Sequence, residues 1–370
     1  MQYKVTHLTS AHPRFDTRIF FKECKSLSLK YDVTLIVSDG LGEQVEDGIK
    51  ILDVGKAKNR FERFFLIGKK ILNKAISLNS DCYHFHDPEL IPIGLKLKKL
   101  GKKVVFDIHE NISLQIKDKS YIPYYLRGIV SFCYKHYEKF TINKFDILIL
   151  AENSYFAYYK ELNSNIEIVL NMPDIEKLNK FINYNRNKNE IFYIGGISKD
   201  RGLDVNLDAL RILNKETPDV FLHYIGPLYG MNKIDIKLDD IKDNVKFYNS
   251  LPLSTALNYS INSKVGLSIL KPISNYKLSY STKIFEYMAI GLPVVTSNFD
   301  IYVDIIEKYG CGICVNPNDP NDISIAIKKI MNDTELAKSM GRNGRKIVES
   351  KFNWSNEKIK LYDVYTKIFN

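Results

Sequence analysis

The chain has 370 residues, 45% of them hydrophobic, and a formal net charge of +10. That length is too great for one ordinary domain and suits two of about 150–200 residues, and the abundance of Ile, Leu, Tyr and Phe excludes a disordered chain. A run of about 18 uncharged apolar residues is absent, which excludes a spanning helix, and the basic balance suits an anionic partner such as nucleic acid, a membrane surface or a phosphorylated ligand.

The first residues, MQYKVTHLTSAHPRFD, lack a signal-peptide pattern and read directly as a strand, so a cytoplasmic chain is expected. Strand candidates KVTHLT, DVTLIVS, IKILDV, CYHFH, KVVFDIH and ILILA succeed one another, with helix candidates between them such as 18–29 and 88–100. Alternation of this kind predicts βα units around a parallel sheet. Ligands of such sheets bind beyond the carboxyl ends of the strands. The loops there hold Asp16, suited to orienting an acceptor hydroxyl, and Arg18, suited to a phosphate or a helix cap. They also hold Asp107, His109 and Glu110 at the end of KVVFDIHEN. In HFHDPEL, His84 and His86 share a strand face with Asp87 and Glu89 nearby; the proline and the strand end favour a capped turn lining a cleft over a metal cluster.

Residues 56–76, KAKNRFERFFLIGKKILNKAI, predict a basic amphipathic helix, with Phe61, Phe64, Phe65, Ile71, Leu72 and Ile76 at helical spacing among Arg60, Arg63, Lys69, Lys70 and Lys74. Such a helix can lie on anionic lipid, and the aromatic, basic stretch 121–140 can join the same face.

The alternation pauses over 171–190, a polar segment rich in Asn and Lys that is read as a linker without a strand. It restarts with IFYIGG, VFLHYIG, VKFYNS, VGLSIL, LPVVTS and GICV. Between VGLSIL and LPVVTS a helix is expected from about Ser281 to Ile290, ended by Gly291 and Pro293. Ser281 and Thr282 at its start offer amides and a dipole to a phosphate, and Glu286, a turn further on, is within reach of a ribose diol. Cys311 and Cys314 form a lone pair in an apolar run and read as thiols in or near a strand; the odd total of five cysteines argues against a disulfide framework.

The segment Lys283-x-x-Glu-Tyr-Met-Ala-x-Gly-x-Pro-Val-Val resembles the donor-binding signature of retaining glycosyltransferases of family 4. The resemblance implies a GT-B fold: two Rossmann-like α/β domains facing each other across a cleft, with a C-terminal helix that crosses back to the first. The boundaries expected are 1–170 for an acceptor domain, 171–190 for the linker, 191–352 for a nucleotide-sugar donor domain and 353–370 for the crossover helix, with Trp354 as a packing anchor. Of the two glutamates that the family separates by seven intervening residues, Glu286 matches the second, which binds the ribose; Leu278 stands at the first. In IFYIGGISKDRGLD, Arg201 matches the lysine that neutralises the diphosphate, while Gly196 stands where the family has arginine and Lys199 is the nearest substitute. Gly195, Tyr280, Ser281, Thr282 and Lys283 complete the donor side. His109 matches a histidine that contacts the donor sugar, with Asp16 beside it in the catalytic set. Arg18, His86, Asp87 and Glu110 are assigned to the acceptor side.

The activity that the resemblance implies is transfer of a sugar with retention from a UDP-sugar, or a GDP-sugar, onto a glycan or lipid-linked acceptor in bacterial surface polysaccharide synthesis. An Asp-x-Asp motif is missing, so no essential metal or other cofactor is expected. The alternatives are a GT-B sugar-nucleotide epimerase and an inactive scaffold. An oxidoreductase would need Gly-x-Gly-x-x-Gly after the first strand, and no nucleic-acid module is recognisable. Peripheral attachment to the inner face of the cytoplasmic membrane is the expected location.

Overall fold

A computed structural model describes residues 2–113, 116, 122–230, 236–273 and 275–370, leaving aside the side chain of Arg60. The chain divides into two compact units, 1–171 with 354–370, and 172–353.

The first unit is built on an eight-stranded sheet. Its strands are β1 (Lys4–Leu8), β2 (Asp32–Val37), β3 (Gln44–Glu46), β4 (Ile49–Asp53), β5 (Cys82–Phe85), β6 (Lys103–Ile108), β7 (Ile147–Leu150) and β8 (Ile166–Ile168). They lie in the order β3-β4-β2-β1-β5-β6-β7-β8. All neighbours pair in parallel except β3 and β4, which form an antiparallel edge. The central strands are buried on both faces, as their continuous Val, Ile and Leu runs require. The longer helices are α1 (Gly68–Leu78), α2 (Ile91–Lys99) and α3 (Tyr124–Thr141). The segment expected to be one helix over 18–29 is a π-type turn, Ile19–Cys24, continued by Lys25–Leu27. The two strands that sequence reading missed, β3 and β8, have three residues each, too short to give a period.

The second unit holds a six-stranded, all-parallel sheet of β9 (Lys188–Ile194), β10 (Phe221–Ile225), β11 (Val245–Tyr248), β12 (Ser263–Ser268), β13 (Val294–Ser297) and β14 (Gly312–Val315). Their order is β11-β10-β9-β12-β13-β14. Its longer helices are α4 (Leu203–Glu216), α5 (Thr282–Ala289), α6 (Pro320–Asn332) and α7 (Thr334–Ser350). Cys311 and Cys314 are unlinked thiols, the first just before β14 and the second within it.

The segment 171–190 departs from the linker expected there. It belongs to the second unit from Met172 onward, carries a 3₁₀ turn (Glu176–Phe181) and enters β9 at Lys188. Leu178, Phe181 and Arg186 are buried, and the Arg186 guanidinium donates to the carbonyls of Ile261 (3.1 Å) and Ile290 (2.8 Å). Its polar composition hid a few deep anchors.

The last helix, α8 (Trp354–Phe369), belongs to the first unit. Trp354 is buried there and donates from Nε1 to Ser26 Oγ at 2.9 Å, and Glu357 accepts from the amide of Leu170 at 2.7 Å.

In each sheet the connections run outward in opposite directions from one central pair, β1/β5 in the first and β9/β12 in the second. Beyond the carboxyl ends of such a pair the loops part, and parallel α/β sheets bind ligands there.

Candidate active site

The second unit brings a glycine-bearing turn and two cations to this switch point. Strand β9 is followed directly by Gly195, whose φ of 118° is strained for any side chain. The turn 199–201 comes next and is pinned to the end of β12, because the amide of Lys271 donates to the carbonyl of Asp200 at 2.9 Å. Helix α5 is anchored by Tyr287, fully buried, whose hydroxyl accepts from the amide of Ile194 at 3.1 Å and lies 3.4 Å from the Leu267 carbonyl. That anchoring aims the start of α5 at Gly195. Ser281 occupies the cap position with no side-chain cap bond of its own among the described residues, so the first amides of α5 remain available to an anion.

Lys283 is the decisive side chain. It is buried, its Nζ has no hydrogen-bond partner among the described residues, and it stands 3.8 Å from the centre of the Tyr193 ring. A Cβ on Gly195 would sit 3.3 Å from this ammonium. Burial, with Arg201 adding to it, drives the Lys283 pKa well below that of an ordinary lysine, against the pull of Glu286. A buried ammonium resting on a ring face is costly to hold without an anion, and such strained groups cluster at functional sites. Arg201 lies over the Tyr276 ring, 5.8 Å from its centroid. Glu286 is half-buried one turn along the same helix.

Gly196, which stands where the family has arginine, has a steric explanation. A Cβ there would lie 2.7 Å from the ring of Tyr229 and 3.7 Å from the guanidinium carbon of Arg201. Tyr229 and Arg201 fill the space that a longer residue would use. Lys199 does not substitute: it is exposed, 3.8 Å from Asp204, and borders a separate hollow with Asp208 and Arg211. Leu278 is exposed in a turn, and Tyr280 packs edge-on to Phe285.

In the first unit most of the expected site residues are already engaged. Arg18 is a buried strut, correcting its assignment to the acceptor side. Its guanidinium grips Asp107 through two bonds of 2.9 and 2.8 Å, donates to the Val169 carbonyl at 2.8 Å and lies 3.0 Å from Glu23. Asp16 is a helix cap: its Oδ1 accepts from the amides of Arg18 (2.8 Å) and Ile19 (2.9 Å). With Oδ2 3.3 Å from His12 Nδ1, its carboxyl is held well below the usual range despite burial. Asp87 gathers the loop after β1, accepting from Thr9 Oγ1 at 2.8 Å and from the amides of Ser10 (2.6 Å) and Ala11 (3.2 Å). It is a positioning residue for that loop, and Glu110 is exposed beside it at the cavity rim.

His109 is better placed. Asp107 can only accept, so His109 Nε2 donates to it at 2.7 Å, and the ring stays partly open to a cavity of about 330 Å³. That cavity is bounded by His12, Arg63, Asp87, Glu89, Tyr134 and Glu138. Burial pushes Glu138 up to about 7, although Tyr159 and Tyr158 donate to it at 3.0 and 3.2 Å. His86 lies deeper; burial takes it down to about 4 in spite of its 3.1 Å bond to Asp107. Beneath it are His7, His84 and Glu23, all fully buried. Burial and Asp107 push Glu23 well above the usual carboxylate range. Sequence reading missed His7, Glu23, Glu138 and Tyr134. A usable signal existed for His7, a polar residue within an apolar strand, directly opposite His84 on β5. A larger hollow of about 870 Å³ opens at the opposite ends of β1 and β2, around Tyr3, Lys4 and Asp32, away from where such sheets bind ligands.

The expected helix at 56–76 runs from Arg60 through Leu78 in three contiguous pieces, with Ile67, Ile71, Leu72 and Ala75 buried. Phe61, Phe64 and Phe65 are turned to solvent at 69%, 51% and 64%. On α3, Tyr124, Tyr125, Ile129, Phe132 and Phe140 are exposed as well; Tyr121 and the Arg60 side chain lie outside the described residues. Arg63 and Phe64 face the same cavity as Tyr134 and Glu138 of α3, so the two segments flank one mouth. Among the described residues no helix is long and apolar enough to cross a membrane.

Residues 174–347 match the family model "Glycosyl transferases group 1". That match spans nearly the whole of the second unit, 172–353. Over 191 residues this chain is 26% identical to the capsular polysaccharide biosynthesis glycosyltransferase CapM of Staphylococcus aureus, a match covering 48% of this chain and 45% of CapM. The chain thus spans about half the length of that relative. Two solved structures extend the likeness to both units. Sucrose-phosphate synthase from Thermosynechococcus elongatus aligns over 100% of this chain and 99% of its own, with a TM-score of 0.75 and 15% identity. Anabaena HepE, solved in complex with UDP and glucose, aligns over 99% and 100%, with a TM-score of 0.72 and 13% identity. At these identities the likeness is one of fold: GT-B, with two Rossmann-like units.

Proposed function

We propose that the chain is a retaining glycosyltransferase of the family 4 type, taking a sugar from a nucleotide diphosphate, with UDP favoured over GDP, to a glycan or lipid-linked acceptor in bacterial surface polysaccharide synthesis. The observation that carries this reading is the buried, unpartnered ammonium of Lys283 beside Gly195, with Arg201 and the start of α5 close by. These groups suit a diphosphate. The names of two relatives add to it: CapM is a capsular polysaccharide enzyme, and HepE holds UDP and glucose.

In this reading Glu286 accepts hydrogen bonds from the ribose diol, and Lys283, Arg201, Ser281 and the amide of Thr282 hold the diphosphate. The acceptor oxygen attacks from the face that the nucleotide leaves. The bond between the anomeric carbon and the diphosphate oxygen breaks, the new glycosidic bond forms, and the acceptor's proton departs with the leaving group. Charge grows on the diphosphate as that bond lengthens, and fixed cations in a dry site stabilise it most at that point. His109, oriented by Asp107, positions the donor sugar, and the cavity beside it receives the acceptor. No divalent cation is assigned to the transfer.

The exposed aromatic and basic mouth of that cavity suits an acceptor presented at an anionic membrane surface. Lys56 to Lys74 contain seven basic residues and one acidic one. A thermal-shift screen of UDP- and GDP-sugars tests the function at its root. One of them should raise the melting temperature in a concentration-dependent way, because a ligand that binds only the native state stabilises it. A folded chain indifferent to all of them, and to UDP, is not a transferase of this kind.

A further inference from the structure

The interior of the first unit contains a set of groups that the proposed transfer does not use. His7 on β1 and His84 on β5 are register partners, with ring centroids 4.5 Å apart. His86 lies one residue beyond β5, its ring 4.6 Å from that of His84. Glu23 comes from the turn Ile19–Cys24. Each of the four offers a ligand atom within 4.8 Å of the others, and His7, Glu23 and His84 are wholly buried. His7 Nε2, His84 Nε2 and both carboxylate oxygens of Glu23 have no hydrogen-bond partner among the described residues. Buried polar atoms are nearly always paired, so four orphans on three adjacent residues need a reason.

The hydrogen bonds around them fix what kind of reason. Asp107 only accepts, so His86 Nδ1, 3.1 Å from it, carries a proton. A neutral His86 then accepts at Nε2 from His7 Nδ1, 2.9 Å away, which leaves His7 Nε2 a bare lone pair. His84 Nδ1 lies 2.9 Å from the hydroxyl of Tyr365 on α8; when it donates there, His84 Nε2 is a bare lone pair too. Arg18 gives its hydrogen bonds to Asp107 and the Val169 carbonyl; its Nε lies 3.0 Å from Glu23 Oε1, yet neither Glu23 oxygen has a hydrogen-bond partner among the described residues. The unmatched atoms are acceptors. A water has two protons to give; a cation answers all of them.

We propose that His7, His84 and Glu23, with His86 beside them, bind one divalent ion of the zinc class inside the first unit. Two imidazoles and a carboxylate are ligands that such a borderline ion takes. With metal–nitrogen bonds of about 2.0–2.1 Å, tetrahedral ligands stand roughly 3.4 Å apart. Glu23 Oε2 is 4.0 Å from His84 Nε2, so closing on an ion takes a shift of about half an ångström between them. The outer partners are of the kind that orient metal-bound histidines: Tyr365 on His84, and His86 backed by Asp107 on His7. The ion would cross-link β1, β5 and the turn after Arg18, and through Tyr365 would brace α8. It is structural, apart from the sugar-transfer chemistry.

The test is metal analysis of the full-length chain. Protein purified from zinc-supplemented cells and dialysed against a chelator should retain close to one zinc per chain. Glu23→Gln and His84→Gln should each lose it while keeping the native circular dichroism. As a check that does not depend on the variants folding, wild type reconstituted with cobalt(II) should show intense visible bands typical of a four-coordinate site. A folded wild type that holds no zinc and develops no such bands overturns the proposal. So does zinc content unchanged in both variants, which would place the ion elsewhere, for example at the exposed thiol of Cys133.

Discussion

The carboxyl ends of the two sheets differ in how completely their charges are answered. At the rim of the first, Arg18 is matched by Asp107, Asp16 by two amides and His12, and Asp87 by the loop that it gathers. At the end of the second, Lys283 is buried against a ring, and among the described residues its ammonium has no hydrogen-bond partner. At that rim the matched charges form a scaffold that holds loops in place, and the unpartnered atoms of His7, His84 and Glu23 lie in the interior beneath it. An unsaturated buried charge is a socket, because the cost of desolvating it falls only when a counter-charge arrives. In the proposed transfer, chemistry on the leaving group is therefore assigned to the second unit, and shape, His109 and a cavity to the first.

The contrast breaks most readily at Arg201. Arg201→Ala should lower kcat by about 100- to 1000-fold, the usual cost of removing one group that stabilises charge developing in the transition state. Binding of the nucleoside alone should stay near wild type. Full turnover would move the leaving-group chemistry elsewhere. Next in size, Glu286→Ala should weaken donor binding by roughly 10- to 150-fold, as expected for a lost charge-assisted bond. Unchanged affinity by calorimetry would take Glu286 out of the socket.

Glu138 sharpens the other side of the comparison. Its pKa is raised to about 7, first by burial, so the folded chain holds its proton more tightly than the unfolded chain does. The stability that this contributes is complete below the unfolded value, about 4.5, and is lost as pH rises through about 7. The swing should be on the order of 3 kcal/mol. Denaturant melts of wild type and Glu138→Gln should therefore converge at pH 4 and diverge by pH 8, with the glutamine variant then the more stable. Parallel pH profiles would mean that Glu138 ionises as a surface acid does.

The smallest expected effect is at the cavity mouth. Sedimentation with anionic vesicles should capture the chain at low salt, at about 1 kcal/mol per engaged basic residue. Changing Arg60, Arg63, Lys69 and Lys70 to serine should release it. If wild type ignores such vesicles, the exposed phenylalanines serve a different partner.

The second unit was far more legible in the sequence than the first. Each of its six strands is an apolar run with a Gly, Pro or Asn boundary, and the donor segment is contiguous, so a linear motif carries both the helix and its chemistry. Lys283 and Glu286 sit where the pattern put them, on one helix. The first unit assembles its network from β1, the turn after Arg18, β5 and β6, segments far apart along the chain, and no linear spacing encodes that. Arg18 and Asp16 were readable as charges near a strand end, but not as a strut and a cap, because their partners Asp107, Val169 and Ile19 appear only once the sheet is built. Polar composition misled at 171–190, where buried Leu178, Phe181 and Arg186 outweigh many exposed asparagines and lysines. Lys199 looked like a replacement for a missing arginine, yet the space for that arginine is held by Tyr229 and Arg201.

Calorimetric titration of UDP and of uridine into wild type and Lys283→Ala tests the socket most directly. Wild type should bind UDP at least about tenfold more tightly than uridine, the worth of one charge-assisted contact, and Lys283→Ala should bring the two affinities together by lowering that of UDP alone. If UDP binds the variant as tightly as wild type, or if wild type fails to distinguish UDP from uridine, then Lys283 does not hold the diphosphate and the donor site assigned to the second unit is wrong.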